Sequence, residues 1–207
     1  MVNATPKSII DYVIRGVKAA TEEAHALTRD FQELSWGPEY LLTVCIAREL
    51  RKLSAAGIFL EEMMKESRDP PKGRRHAGYS PKKRFDIVVR GSHGFPAAAI
   101  EVKHRVYNVS RPIVKDMKRL SYAVNKKSNG KRVFRLGILA FYTVFYAGDR
   151  KKLSQKEAIA GLYNRLEQKL ELVRESAKLN TRFIPPTHYQ GSPEIVWGGG
   201  CLVLEAQ

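Results

Sequence analysis

Apolar residues recur at helical spacing through Ile9, Ile10, Val13, Ile14, Val17, Ala20, Ala24 and Leu27, which predicts an amphipathic helix over residues 5–29. Thr5 before Pro6 gives it a start signal, a capping hydroxyl followed by a residue with no amide hydrogen to satisfy. Trp36-Gly37-Pro38 breaks the pattern. A second helix is expected from about Glu39 to Leu53, carrying Leu42, Cys45, Ile46, Leu50 and Leu53 on one stripe, with Gly57 marking its exit. A short helical piece is expected to follow over Phe59 to Glu66.

The period then changes. Phe85 to Val89 and Ala97 to Lys103 read as strands, joined by Gly91 to Pro96 into a hairpin. Next come a helix from about Pro112 to Val124, a basic turn from Lys126 to Arg132, and a strand from Phe134 to about Phe145 apolar enough to be buried on both faces. Ile159, Leu162, Leu166, Leu170, Val173 and Ala177 then recur at intervals of three and four. That stripe suits a homodimer seam or a helix laid across the sheet, and its short run favours the second. Glu194 to Trp197 and Cys201 to Glu205 flank three glycines and read as a closing hairpin. The expected fold is α/β (α+β), a mixed central sheet of about four or five strands flanked by helices. One domain spans 1–207, with a core at about 38–145 on which the first helix and the segment 154–207 pack.

Composition alters this picture little. Apolar residues at 43% and charged residues at 28% are ordinary for a globular protein. Cys45 and Cys201 stand far apart, with no ligand spacing around them, and read as core residues. No run nears the roughly eighteen apolar residues that span a bilayer, and Met1 to Lys7 lacks a signal-peptide pattern. A cytoplasmic protein with no membrane contact is expected.

Charge alters it more. The net charge is +15, and residues 68–135 hold 19 Lys and Arg against four acids, while the rest of the chain balances. An excess confined to one third of a sequence suits a polyanion-binding face, and nucleic acid is the leading partner. Arg74, Arg75, Lys82, Lys83 and Arg84 lead from a Pro- and Gly-rich loop into the first strand of the hairpin, which fits phosphate contact.

Chemistry concentrates in that hairpin. Pairing the strands about residues 91–96 sets Asp86 opposite Glu101, and like charges opposed on a sheet repel, more so when half-buried. A divalent cation resolves the conflict, and a few oxygen ligands with room for water suit Mg²⁺ or Mn²⁺ rather than zinc. Alternation puts Lys103 on the same face as Glu101, where an ammonium can orient water and stabilise charge on a phosphate oxygen.

A helix, a strand bearing Asp, and a strand bearing Glu-x-Lys, in that order, resemble the PD-(D/E)XK nucleases over about residues 38–145. Phe85 stands where the motif has proline. The resemblance implies a restriction-endonuclease-like core and hydrolysis of DNA phosphodiester bonds to leave a 5′-phosphate. It also implies that Asp86 and Glu101 ligate the metal and that Lys103 is the motif lysine. Family members often add an acid from the preceding helix. Glu39 and Glu49 flank the apolar stripe there, and Glu39, at the helix start, is the choice. His104 and Arg105 follow the motif and are candidates for the scissile backbone. Asp116 and Arg119 read as an ordinary i, i+3 pair. His93 reads as a turn residue, and Trp36, Tyr79 and Tyr107 as packing aromatics.

Overall fold

The first helix, α1 (Pro6–Leu27), begins at Thr5, where a reciprocal cap forms: Ser8 N donates to Thr5 Oγ1 at 3.2 Å and Thr5 N to Ser8 Oγ at 2.8 Å. The computed structural model describes residues 4–27, 39–53, 57–63, 84–91, 96–104, 106, 108–125, 127–128, 131–132, 134–146, 155–177, 179–192 and 195–205. The remaining elements are α2 (Glu39–Leu50), β1 (Gly57–Met63), β2 (Arg84–Arg90), β3 (Pro96–Lys103), α3 (Arg111–Asn125), β4 (Lys127–Ser128), β5 (Lys131–Arg132), β6 (Leu136–Tyr146), α4 (Gln155–Ala177), β7 (Asn180–Ser192) and β8 (Ile195–Glu205).

Among the described residues six strands form one mixed sheet in the order β1-β2-β3-β6-β8-β7, and β4 with β5 makes a separate ribbon. β3 and β6 run parallel, joined through α3, and every other pairing in the sheet is antiparallel. A parallel pair needs a crossover, and the crossover lays α3 on one face. There Ile113, Met117, Leu120 and Val124 bury against Val88, Ala99, Leu139 and Phe141, together with Leu162, Leu166 and Leu170 of α4. The middle of the α4 stripe, Leu162, Leu166 and Leu170, is thus taken up by the chain's own core. On the opposite face Ile9, Ile10, Val13 and Val17 of α1 and Leu42, Ile46 and Leu50 of α2 cover Ile87, Val89, Ile100, Val102, Ile138 and Val203. Each large side chain so buried contributes about 1.5–3 kcal/mol. Among the described residues no helix is long and apolar enough to cross a membrane.

Three expectations are corrected. The sheet has six strands rather than four or five, because β1 and β7 extend its two edges. Gly57–Met63 is strand β1, not part of a helix over 59–66: β2 would otherwise leave an open edge, and pairing from Gly57↔Arg90 to Met63↔Arg84 satisfies it. The closing hairpin does not turn at Gly198-Gly199-Gly200. Those glycines lie inside β8, whose hairpin partner is β7, and a Cβ on Gly199 would overlap Val17 Cγ1. Glycine here lets α1 lie close on the sheet.

Candidate functional site

The β2–β3 hairpin takes the register expected of it, Ile87↔Ile100, Val88↔Ala99 and Val89↔Ala98. That ladder stops one step short of Asp86 and Glu101. Phe85 packs on the α3 side of the sheet and Ile87 on the α1 side, so the strict alternation of β2 slips at Asp86. From β1 the pairs Leu60↔Ile87 and Glu62↔Phe85 flank Asp86 at one constant offset. Toward β3 the Asp86 carboxylate does the ladder's work instead, Oδ2 accepting the Val102 amide at 2.7 Å. An acceptor is thereby fixed at the strand end by its own backbone environment.

On β3, Ile100 and Val102 enter the α1–α2 core, so Glu101 and Lys103 face α3. Glu101 is 1% exposed. Its Oε2 pairs with Arg119 of α3, while Oε1 has no partner among the described residues. Arg119 is braced in turn by Asp116 Oδ1 at 3.1 Å and lies with its guanidinium carbon 5.8 Å from the centre of the Phe85 ring. Phe85 therefore serves as a platform for a cation.

Lys103 sits at the carboxyl end of β3, where the two helical layers meet around the edge of the parallel pair. Its Nζ lies 3.3 Å from Asp116 Oδ2, on α3, and 3.6 Å from Glu39 Oε1, on the opposite layer, and donates to Val102 O at 2.9 Å. Glu39 Oε2 also meets His104 Nδ1 at 3.2 Å. Glu39 opens α2, as its place after Gly37-Pro38 suggested, whereas Glu49 pairs with Lys52 away from this cluster.

Four carboxylates, Glu39, Asp86, Glu101 and Asp116, thus act on two cations, Lys103 and Arg119. Burial pushes the Glu101 carboxyl up to about 8, and Arg119 offsets only part of that. Burial also raises Asp86, against the pull of the Val102 amide and then of Lys103. For Lys103 burial favours the neutral amine, but Asp116, Glu39, Asp86 and Glu101 outweigh it, so its pKa rises and it stays an ammonium. It is a donor here and not a base. A carboxyl as buried as Glu101 ionises at neutral pH only with more positive charge beside it than Arg119 brings.

That deficit, the unpartnered Glu101 oxygen and the hard carboxylate donors all suit a divalent cation of the Mg²⁺ type. Among the described residues no group of three or more His, Cys, Asp and Glu is gathered closely enough to hold a metal. Mg²⁺ is often held by only one or two carboxylates and several waters, fewer protein ligands than such a group supplies.

Asp86, Glu101, Lys103, Glu39 and His104 therefore come together at one end of the sheet, and Arg84 begins β2 one step from Phe85. Arg74, Arg75, Lys82, Lys83 and Arg105 lie outside the described residues, as do Trp36, Tyr79, His93 and Tyr107. Asp116 and Arg119 belong to the cluster, although their spacing alone reads as an ordinary helical pair. The available signal was their phase, between the apolar positions Ile113, Met117 and Leu120, which turns them toward the sheet. Compared with models of protein families, with curated proteins and with solved structures, the chain matches none.

Proposed function

We propose that the protein is a metal-dependent nuclease with a restriction-endonuclease-like core, hydrolysing phosphodiester bonds in DNA. The observation that carries this reading is the meeting of Asp86, Glu101 and Lys103 at the carboxyl end of β3, with a buried Glu101 oxygen left unpartnered. Asp86 and Glu101 would hold Mg²⁺ or Mn²⁺. When bound, such an ion supplies Lewis acidity, making water more acidic and neutralising charge on a phosphate oxygen. Lys103, kept cationic by its acidic neighbours, donates to the developing negative charge and orients the attacking water. Glu39 holds Lys103 and His104 from the solvent side, and His104, at the rim, is within reach of a phosphate backbone.

The test incubates the protein with linear, circular and branched DNA, with Mg²⁺ or with chelator, alongside Lys103→Ala. Loss of one preorganised donor should slow cleavage by about 10²–10³-fold. Cleavage indifferent to chelator, or undiminished in Lys103→Ala, would refute the reading.

A second reading, a DNA-binding protein that keeps the fold without turnover, is favoured by one observation. Arg119 already occupies one oxygen of Glu101. DNA retained but uncut by the wild-type protein with Mg²⁺ would select it.

A further inference from the structure

We propose that the outward face of α3 is the track on which the DNA backbone lies as it approaches the site, held by Arg111, Lys115 and Lys118. The inference rests on reading the site as a DNA phosphodiesterase, and it assigns a binding surface to residues outside the hairpin and the basic loop.

All three side chains are exposed, and their spacing of four and then three residues sets them within about 60° on the helix, spread over about 10 Å of its length. That length matches about three steps of one DNA strand. The sole acid of α3, Asp116, is 7% exposed and turned inward to Lys103 and Arg119, so the outer stripe carries one sign of charge. On α4, by contrast, Arg165, Glu167, Lys169 and Glu171 alternate in sign, and on α1 Lys18 pairs with Glu22. Charge kept for solubility takes that mixed form.

Helix stability does not account for the stripe either. Like charges at i, i+4, as at Arg111 and Lys115, destabilise a helix. Arg111 also sits in a first turn that holds no acid, so its charge opposes the helix dipole there. A polyanion lying across the stripe removes both penalties.

Direction completes the case. Asp116 meets Lys103 at the end of β3 while Arg119 meets Glu101 two residues earlier, so α3 runs antiparallel to β3. Arg111 and Lys115 therefore lie toward the end of the sheet where Lys103, His104 and Glu39 reach the surface. A backbone held on the stripe leads to the cluster.

The test is fluorescence anisotropy of a short labelled duplex in chelator, titrated over a range of salt concentrations. The full chain is compared with the triple variant Arg111→Gln, Lys115→Gln, Lys118→Gln and with a charge-matched control on α1, Lys7→Gln, Arg15→Gln, Lys18→Gln. Each phosphate contact adds about 0.9 to the salt slope, so the α3 triple should lose about 2–3 of it and Lys115→Gln alone about 0.9, with the α1 control unchanged. Equal slopes in the two triples, or no duplex binding by the wild-type chain, overturn the track. Running the same proteins with Mg²⁺ separates the two ideas. Cleavage with an unchanged slope removes the track and keeps the nuclease, and a reduced slope without cleavage does the reverse.

Discussion

The two faces of the sheet both bury an apolar cluster, yet they differ in kind. Under α1 and α2 the buried hydroxyls of Ser8, Thr21 and Thr43 are satisfied locally, by Thr5 O at 2.9 Å, Val17 O at 2.6 Å and Glu39 O at 2.8 Å, and the cluster they border is apolar. Under α3 lie the buried Glu101 and the partly buried Arg119, each with a polar atom unpartnered among the described residues. A buried ionic pair is seldom a net stabiliser, since desolvation offsets most of its attraction. The α1–α2 face is built for cohesion. The α3 face gives up cohesion at one end of β3, where the proposed site lies.

The sharpest way to break this contrast is Arg119→Leu, which strands Glu101. At pH 9 the stranded carboxyl takes up a proton rather than staying charged, and urea denaturation should show a loss of about 1–3 kcal/mol. A loss under 1 kcal/mol would mean that the pair is of no structural consequence and that the two faces are alike. On the other face Gly199→Ala should cost about 1–3 kcal/mol by forcing α1 off the sheet, because β-branched Val17 has little freedom to turn away. An unchanged melting temperature there would show that α1 is not closely seated.

The smallest signal per step comes from pH. The folded-state pKa of Glu101 is raised from 4.5 to about 8, so folding favours its protonated form. Its contribution is full below pH 4.5, declines as pH rises through about 8, and is then constant, at no more than about 1.4 kcal/mol per pH unit. Glu101→Gln cannot ionise, so its stability relative to wild type should climb across that window and level off above it. A difference that stays flat from pH 4.5 to 8 would show that Glu101 is ionised throughout.

Much of this arrangement is legible in the residues. The hairpin register, α1 with its Thr5 cap, α2, α3 and the doubly buried β6 follow from periodicity and punctuation, because one residue's slip in β2 or β3 would turn Ile87 and Ile100 out of the core. Other elements are not legible, for reasons that lie elsewhere in the chain. The Leu-Glu-Glu-Met of β1 favours a helix locally, and only the open edge of β2 makes it a strand. β7 carries Pro185-Pro186, which break strand patterning, and its register shifts between Ile184 and Thr187. Three glycines in β8 read as a turn because the helix that Gly199 makes room for lies far away in sequence. Within the site, the acids and the lysine stand out as charges on apolar strands. Arg119 does not, since its partner Glu101 becomes its partner only when the crossover brings α3 down.

The seat of α1 at Gly199 also bears on the order of events as the chain folds. Gly16 of α1 lies against the backbone of Ile46 in α2, so these two helices, near in sequence, can join early. The platform beneath Val17 exists only after β8 has been laid beside β6, at almost the full separation of the chain. Contacts of such long range must meet the entropy of closing the intervening loop before they return any stabilisation, and topologies rich in them fold slowly. Until that last strand is in place, the helical pair carries an apolar underside that water still touches.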